Sequence, residues 1–249
     1  MQNEMNSCKK CNEQVIGNYC SNCGYPSKLK KIDGQYLINE IVDLFFASRG
    51  MLFTINKMLS NPGESVRHFI TEDRWRFVKP ITFVVITSLI YTLVNYFFSI
   101  SADDYYQQSD ELAGSTAGLI INWMLIEYVG YANLITGFFV AFCVKLFFRK
   151  ASYNIFEIFI LLCFVTGITN LFISIAAIIQ GITQISLIQI STYIGIIYFT
   201  WAIGQFFDRK KAKSYIKAFL AFILGSFIFG IIIGIVGTII DVIIIIINS

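Results

Sequence analysis

The sequence predicts an all-α integral membrane protein with five transmembrane helices, preceded by amphipathic interfacial helices and a small N-terminal four-cysteine zinc ribbon. Three observations support this prediction. The chain is 56% hydrophobic and only 14% charged, whereas about a quarter of a soluble domain is charged. Long apolar runs follow Pro80, and each can cross the hydrocarbon core of a bilayer. Two Cys-x-x-Cys pairs stand near the N-terminus, with the spacing of a structural metal site.

The cysteine pairs predict the first element. Two residues between thiols allow both sulfurs of a pair to face one ion, and the residues between the pairs suffice for a short hairpin. We therefore expect a structural zinc ion in a closed tetrahedral site, held by Cys8, Cys11, Cys20 and Cys23. Gly24 follows the second pair, where a turn often needs positive φ. Because four ligating thiolates need a reducing compartment, this head is predicted to be cytoplasmic.

Amphipathic helices form the second predicted part, residues 32–79, between the zinc ribbon at 1–31 and the helix bundle at 80–249. Apolar residues recur at helical spacing in residues 37–45, 51–59 and 66–70, and each segment is too short to span about 30 Å of hydrocarbon. We expect a collar at the cytoplasmic membrane interface, with residues 74–79 as interfacial anchors. A soluble subdomain is the alternative.

A helix start is predicted inside the collar, at the sequence Asn61-Pro62-Gly63-Glu64. Asn61 is the expected cap and Pro62 stands at the first helical position. Glu64 can reach back to the backbone N–H of the cap residue.

Five spans form the third predicted part. Their expected bounds are about 80–100, 131–148, 155–179, 185–207 and 215–247. The fifth segment is longer than one crossing needs, so it should tilt, bend or protrude. Residues 119–130 are ambiguous, because they can extend the second span outward or lie on the outer surface.

Positive charges predict how the spans are oriented. All 19 Lys and Arg lie at or before Lys79, within residues 145–150 or within residues 209–217, on one predicted side. The first loop of the opposite side is acidic instead, with Asp103, Asp104, Asp110 and Glu111. This asymmetry predicts a cytoplasmic N-terminus and an outer C-terminus. Residues 28–31 are basic too, and we expect them to face anionic lipid and not nucleic acid, because no aromatic residues interleave for base stacking.

Residue types suited to catalysis are few. The single histidine, His68, is expected to be solvated, and no phosphate-binding, nucleophile-elbow or zinc-protease motif occurs. A closed four-thiolate site leaves no position for a water molecule. The sequence therefore predicts that the protein is not an enzyme.

Polar residues within the predicted spans are also sparse. Glu127 and Asp241 lie toward the outer side, and Asp241 is either interfacial or buried, depending on how the fifth helix slides. Cys143 and Cys163 are expected to be small buried hydrophobes. The scattered amides are expected to form interhelical hydrogen bonds worth ~0.6 kcal/mol each. They are Asn95, Asn133, Asn170, Gln180, Gln184, Gln189 and Gln205.

Small residues recur four apart in the last span. The pairs are Ala221/Gly225, Ser226/Gly230 and Gly230/Gly234. Such surfaces let helix backbones approach closely. The pattern predicts a tight helix contact, either within the bundle or between copies in a homo-oligomer.

The chain resembles a known bacterial family over about residues 8–90. The similar stretches are Cys-x-x-Cys followed by Gly-Asn-Tyr-Cys-Ser-Asn-Cys-Gly, then Arg49-Gly50-Met51-Leu52-Phe53-Thr54, Leu59-Ser60-Asn61-Pro62-Gly63, Val66-Arg67-His68-Phe69-Ile70, Arg74-Trp75-Arg76-Phe77 and Pro80. They look like the bacterial domain-of-unknown-function family 3667. The chain departs from the family at Tyr25, where Gln is frequent, and at Glu72-Asp73, where Gly-Lys is common. Neither departure touches a predicted zinc ligand.

The resemblance implies an architecture and a bacterial inner-membrane location. It implies no activity, because the family has none that is established. The plan of a collar followed by five spans is also similar to the Yip1-like membrane proteins, whose eukaryotic members act as trafficking scaffolds; this is an analogy at the level of the fold.

Taken with the distribution of polar residues, the prediction is a non-enzymatic protein of the lipid bilayer whose zinc head docks a cytoplasmic protein or senses a signal. A channel or transporter for a small solute or lipid is the alternative.

Overall fold

The computed structural model describes residues 7–11, 13–15, 17–26, 50–100, 116–126 and 129–248. The predicted amphipathic segment at 37–45 lies outside the described residues. The described chain is helical apart from its turns and two isolated β-bridges in the cysteine head. Its helices are α1 (Met51–Ser60), α2 (Pro62–Thr71), α3 (Pro80–Phe97), α4 (Thr116–Ile126), α5 (Val129–Phe147), α6 (Ile155–Thr183), α7 (Ile188–Asp208) and α8 (Ala212–Asn248).

Five of these helices are long and apolar enough to cross a membrane: α3, α5, α6, α7 and α8. The predicted class, an all-α protein with five such helices behind a four-cysteine cluster, is confirmed. The ambiguous residues 119–130 are described in part. Residues 119–126 belong to α4, and residues 129 and 130 open α5.

Two helices end at other residues than predicted. At each end, a residue other than glycine adopts a left-handed backbone conformation. α3 stops at Phe97 because Ser99 has φ 54° and the N–H of Ile100 returns to the carbonyl of Asn95. α6 runs on to Thr183, where Gln184 has φ 60°. Sequence patterns place such ends at glycine, because other residues rarely adopt positive φ.

Helix α6 is the centre of the bundle, since it packs against α3, α5 and α7. Phe164 and Ile168 of α6 are completely buried. α8 packs against α4, α5 and α7, and most of its residues are exposed. A lipid bilayer is the natural environment for such an apolar surface.

The collar, defined here as residues 50–79, shares its hydrophobic core with the bundle. Met58, Val66 and Phe69 are buried in the same cluster as the centre of α6. The ring of Phe69 lies edge-on to Phe164 of α6 at 5.2 Å between centroids. The apolar face predicted at 66–70 therefore points into the bundle. The face predicted at 51–59 does so only in part, because Leu52 and Leu59 are exposed.

The collar helix α2 begins at Pro62, as its sequence predicts, but the expected cap bonds do not form. The side chain of Asn61 makes no cap hydrogen bond to α2 and instead lies 3.4 Å from the amide of Gln205 on α7. A reciprocal capping box occurs at the start of α6, where Asn154 and Glu157 each bond to the other's backbone N–H at 2.8 Å. The tertiary contact to α7 replaces the local one at Asn61.

Candidate metal centre and collar joint

The cysteine head consists of two similar turns, each built on one Cys-x-x-Cys pair. In the first, Cys8 N–H donates to the carbonyl of Glu13 at 2.7 Å; in the second, Cys20 N–H donates to Tyr25 at the same distance. A β-bridge closes each turn, between Ser7 and Gln14 and between Tyr19 and Pro26. Every position of the second turn is twelve residues after its counterpart in the first, so the sequence spacing produces a repeated structure.

Gly24 has φ +69°, which confirms the turn conformation expected after the second pair. Its N–H donates to the carbonyl of Cys20 at 2.9 Å. A side chain at this position would strain the backbone.

The two turns bring all four predicted ligands together. The Sγ atoms of Cys8, Cys11, Cys20 and Cys23 lie within 4.8 Å of one another, and three of the sulfur pairs are 3.5 Å apart. A tetrahedral ion with metal–sulfur bonds of about 2.3 Å separates its ligand sulfurs by about 3.8 Å. The four thiols therefore fit one tetrahedral metal ion.

The electrostatics of the four thiols also suit a cation. Burial raises the pKa of the Cys8 thiol, but the backbone N–H groups of Lys10 and Cys11 lower it more, to about 6. The N–H of Tyr25 lowers the pKa of Cys23, while burial and the neighbouring thiols raise it to about 12. One sulfur is thus readily ionised and a second resists ionisation beside it. A bound cation removes this conflict, because it stabilises every thiolate at once.

Charged side chains of the collar also influence the pKa of a tyrosine in the head. Tyr25 is buried beside Cys8 and Cys20, and burial raises the pKa of its phenol. The carboxylates of Asp73 and Glu72 raise this pKa further. The cysteine head therefore lies on the side of the collar where α2 ends.

A polar joint fastens the collar to the end of α7, at Gly63 and Gln205. The N–H of Gly63 donates to Oε1 of Gln205 at 2.8 Å, in a buried contact. A Cβ on Gly63 would lie 2.4 Å from the backbone nitrogen of Phe206. Only glycine allows the first turn of α2 to approach α7 this closely.

Arg67 completes the joint from the next turn of α2. Its Nη1 donates to the carbonyl of Gln205 at 2.8 Å and to that of Phe206 at 2.7 Å. The last carbonyls of a helix have no partner within it, and a cation there also interacts favourably with the helix dipole. Arg67 therefore serves as a C-terminal cap of α7 supplied by the collar.

Helix α1 is fastened by further bonds to neighbouring segments. Tyr198 of α7 donates its hydroxyl to the carbonyl of Met58 at 2.9 Å, and Thr54 accepts from the N–H of Val78 at 3.0 Å. Gly50 has φ +102°, and a Cβ there would lie 2.2 Å from the carbonyl oxygen of Arg76. These contacts hold α1 against α7 and against the segment that leads into α3.

Amides within the bundle form structural hydrogen bonds. Asn133 of α5 donates to Asn170 of α6 at 3.1 Å, and Asn170 donates to Ser88 of α3 at 3.0 Å. Gln180 accepts from the N–H groups of Leu187 and Ile188 and so caps the start of α7. Interhelical bonding of this kind is what the sequence predicts for Asn133 and Asn170.

Asp241 has a structural partner. Its carboxylate accepts from both the hydroxyl and the N–H of Thr116, the first residue of α4. It therefore caps α4 from α8, where a negative charge is favourable. Asp241 is partly buried, in a role that the sequence left undecided.

Comparison with known proteins matches one part of the chain. Residues 49–92 match the family described as Protein of unknown function (DUF3667), which confirms the predicted resemblance over those residues. No curated protein and no solved structure matches the chain. The fold-level similarity to the Yip1-like proteins stays a prediction.

The matched residues coincide with the collar and most of α3, up to residue 92. Asn61, Gly63 and Arg67 all lie within the match and all contact α7. Sequence reasoning found the motif but not its role, because Gln205 stands more than 130 residues later in an otherwise apolar helix. A polar residue near the end of a span is the only sequence signal for this joint.

Proposed function

We propose that this chain is a non-enzymatic, multi-pass protein of the bacterial inner membrane whose cytoplasmic head holds structural zinc and serves as a docking or sensing module. The proposed ligands are Cys8, Cys11, Cys20 and Cys23. Four thiolates in a closed tetrahedral set favour zinc over metals that prefer oxygen or an open position. The proposed orientation places the head and collar in the cytoplasm and the acidic loop at 103–111 outside.

One observation carries this proposal: the polar chemistry of the described residues is concentrated at the collar end of the molecule. The cysteine cluster, the collar cations and the joint at Gln205 all lie there, whereas Asn133, Asn170 and Asp241 are engaged in bonds between helices. A transporter or membrane enzyme usually places ionisable groups in the bundle interior. A rigid joint also suits a module that passes the state of the head to the spans.

Co-purification from cross-linked cells tests the docking role. The intact chain and the double variant Cys20→Ser/Cys23→Ser are compared, and a specific partner should be retained by the intact chain only. The variant Cys143→Ser/Cys163→Ser is the matched control, since it removes two buried thiols of the spans and should keep the partner. A partner retained equally by all three chains would contradict a docking role for the head.

Thiol labelling tests the proposed orientation. A cysteine introduced at Gln107 should react with a membrane-impermeant reagent in intact cells, and one introduced at Lys211 should react only after lysis. The parental chain gives the background from its own six cysteines. The reverse pattern would contradict both the orientation and the cytoplasmic head.

A transporter is the second candidate, and one cavity favours it. This cavity of about 180 Å³ lies between α5, α6, α7 and α8, and apolar side chains form much of its lining. Asn133 and four threonines also line it: Thr136, Thr166, Thr169 and Thr192. Asp241 does not contact the cavity, so it would suit a neutral solute or a lipid chain.

Flux through reconstituted vesicles tests this alternative. Purified protein in liposomes is assayed for glycerol-driven swelling and for transbilayer movement of a fluorescent lipid. Transport by the intact chain that is abolished by Gly195→Val would favour the transporter, because a Cβ on Gly195 already approaches Thr169 at 3.0 Å. The docking proposal expects no flux above that of empty liposomes.

A further inference from the structure

A polar cleft opens on the surface of the collar, between α1, α2 and the segment that follows α2. Its volume is about 250 Å³, close to the lower end of the range for small-molecule sites, which begins at roughly 300 Å³. The charged or aromatic residues of its lining are Phe53, Lys57, Glu64, His68, Asp73, Arg76 and Phe77. All of them fall within the residues that match the family.

Two cations flank one aromatic ring on the first wall of the cleft. The guanidinium of Arg76 lies 4.6 Å from the centroid of Phe53, and the ammonium of Lys57 lies 5.8 Å from it. Among the described residues, no carboxylate comes within 4.0 Å of the Lys57 ammonium. This wall is therefore equipped to bind an anionic group such as a phosphate.

Carboxylates supply the opposite charge in the same cleft. Glu64 is exposed and forms no ion pair with any of the described residues. Asp73 reaches Arg76 only at 4.0 Å, while His68 pairs with Glu72 at 3.2 Å. The cleft thus offers both an unpaired cation and an unpaired anion. A ligand of one charge sign would meet a like charge, whereas a zwitterion satisfies both.

The position of the cleft indicates where such a zwitterion comes from. Trp75 is 67% exposed and Leu52 is 82% exposed, and both are adjacent in sequence to lining residues. The first span begins at Pro80, only four residues after Arg76. Exposed Trp beside Arg is typical of the headgroup layer of a membrane, where zwitterionic phospholipid headgroups are abundant.

We infer that the collar cleft binds a phosphoethanolamine group. Lys57 and Arg76 bind the phosphate, and Glu64 with Asp73 binds the primary ammonium, whose three N–H donors suit carboxylate acceptors. The same group occurs in a phospholipid headgroup and as a free phosphate ester. No described residue of the zinc head lines the cleft, so the phosphoethanolamine site is tested separately from the docking proposal.

Lipid retention by the full-length protein tests this inference. Protein in detergent is titrated with phosphatidylethanolamine, phosphatidylcholine or phosphatidylglycerol, and bound lipid is counted by native mass spectrometry. We expect phosphatidylethanolamine to bind at least five-fold more tightly than the other two. Soluble phosphoethanolamine is then added: displacement of the lipid assigns both to the cleft, and binding of the soluble ester without a lipid preference assigns a free ligand of the same chemistry.

Charge-removing variants locate the binding. Lys57→Gln and Glu64→Gln should each lower the affinity about ten-fold, and both side chains are exposed, so the fold should survive. Lys213→Gln is the matched control, because Lys213 is exposed on the same side of the bundle but outside the cleft. Equal binding of the three lipids without an effect of the soluble ester overturns the inference, as does tighter binding of phosphatidylglycerol or an unchanged affinity in both cleft variants.

Discussion

The cysteine head and the collar are both small, but they are closed by different forces. Among the residues that the structure describes, the head buries only Cys8, Cys20 and Tyr25 as its own hydrophobic cluster, which is far too little to order a chain against its conformational entropy. The collar buries large side chains such as Met58 and Phe69 in the same core as α6. We therefore expect metal binding to decide whether the head folds, whereas packing and hydrogen bonds decide where the collar lies.

This difference separates the two regions experimentally. Changes at the metal site should leave the bundle intact, and changes at the joint should reach the spans. The largest effect is expected at the head, because a metal-closed fold is lost as a whole when one ligand is lost.

Removal of one ligand, as in Cys20→Ser, should abolish metal binding and unfold the head while the five spans still insert. Metal analysis of the purified chain should give one zinc per chain for the parent and none for the variant. Limited proteolysis should then cut between Tyr25 and Gln35 far faster in the variant, with residues 50–248 remaining protected. Zinc absent from a parent chain whose head is folded would contradict the metal site.

A methyl group added at Gly63 should give the next largest effect. Gly63→Ala places a Cβ 2.4 Å from the nitrogen of Phe206 and 2.5 Å from the carbonyl carbon of Gln205. Because both are backbone atoms, α2 must move away, which costs about 1–3 kcal/mol. Thermal unfolding in detergent measures the loss. Gly17→Ala is the matched control, since nothing lies within 4 Å of a Cβ there and unfolding of the spans should be unchanged.

Loss of the amide at Gln205 should destabilise the joint without a steric clash. Gln205→Leu leaves the buried N–H of Gly63 without its acceptor, which costs about 1–3 kcal/mol. The exposed amide Gln189 of the same helix supplies the control Gln189→Leu, which should have little effect. If the two variants unfold alike, the collar is held by apolar packing alone.

Arg67→Gln isolates the capping of α7. The variant loses two charged hydrogen bonds to terminal carbonyls, and because Arg67 is only half-buried the expected cost is about 1–2 kcal/mol. Hydrogen exchange should increase at the last turn of α7 and leave the start of that helix unchanged. Uniform exchange along α7 would show that Arg67 is not its cap.

The sequence predicts more of the fold than of its joints. Apolar length and the segregation of Lys and Arg locate the five spans to within a few residues, because a bilayer imposes one length on every crossing. The cysteine spacing predicts the four thiols that the structure brings together. Asp241 and Gln205 could not be assigned, since their partners, Thr116 and Gly63, are distant in sequence. Hydrogen bonds between residues that are far apart in the sequence leave no periodic pattern in the sequence around them.

The glycines of α8 differ in how closely they are packed, and changes at them are expected to have the smallest effects. Gly225 faces α5, and a Cβ there would lie 2.7 Å from the Cα of Val140, whereas the corresponding positions at Gly230 and Gly234 are open. The pattern predicted from sequence is thus satisfied within the bundle at one glycine and not at the other two. A close contact between copies of the chain would use the open positions.

Gly225→Ala and Gly230→Ala therefore test the homo-oligomer directly. Gly225→Ala should destabilise the chain by about 1–2 kcal/mol, because it forces α8 away from α5. In a monomer, Gly230→Ala should be neutral or stabilising by up to about 1 kcal/mol, since alanine favours the helix. Unfolding in detergent and mass photometry measure stability and oligomeric state together. Loss of a dimer in Gly230→Ala, with stability unchanged, would show that α8 joins two copies through the face that the single chain leaves open.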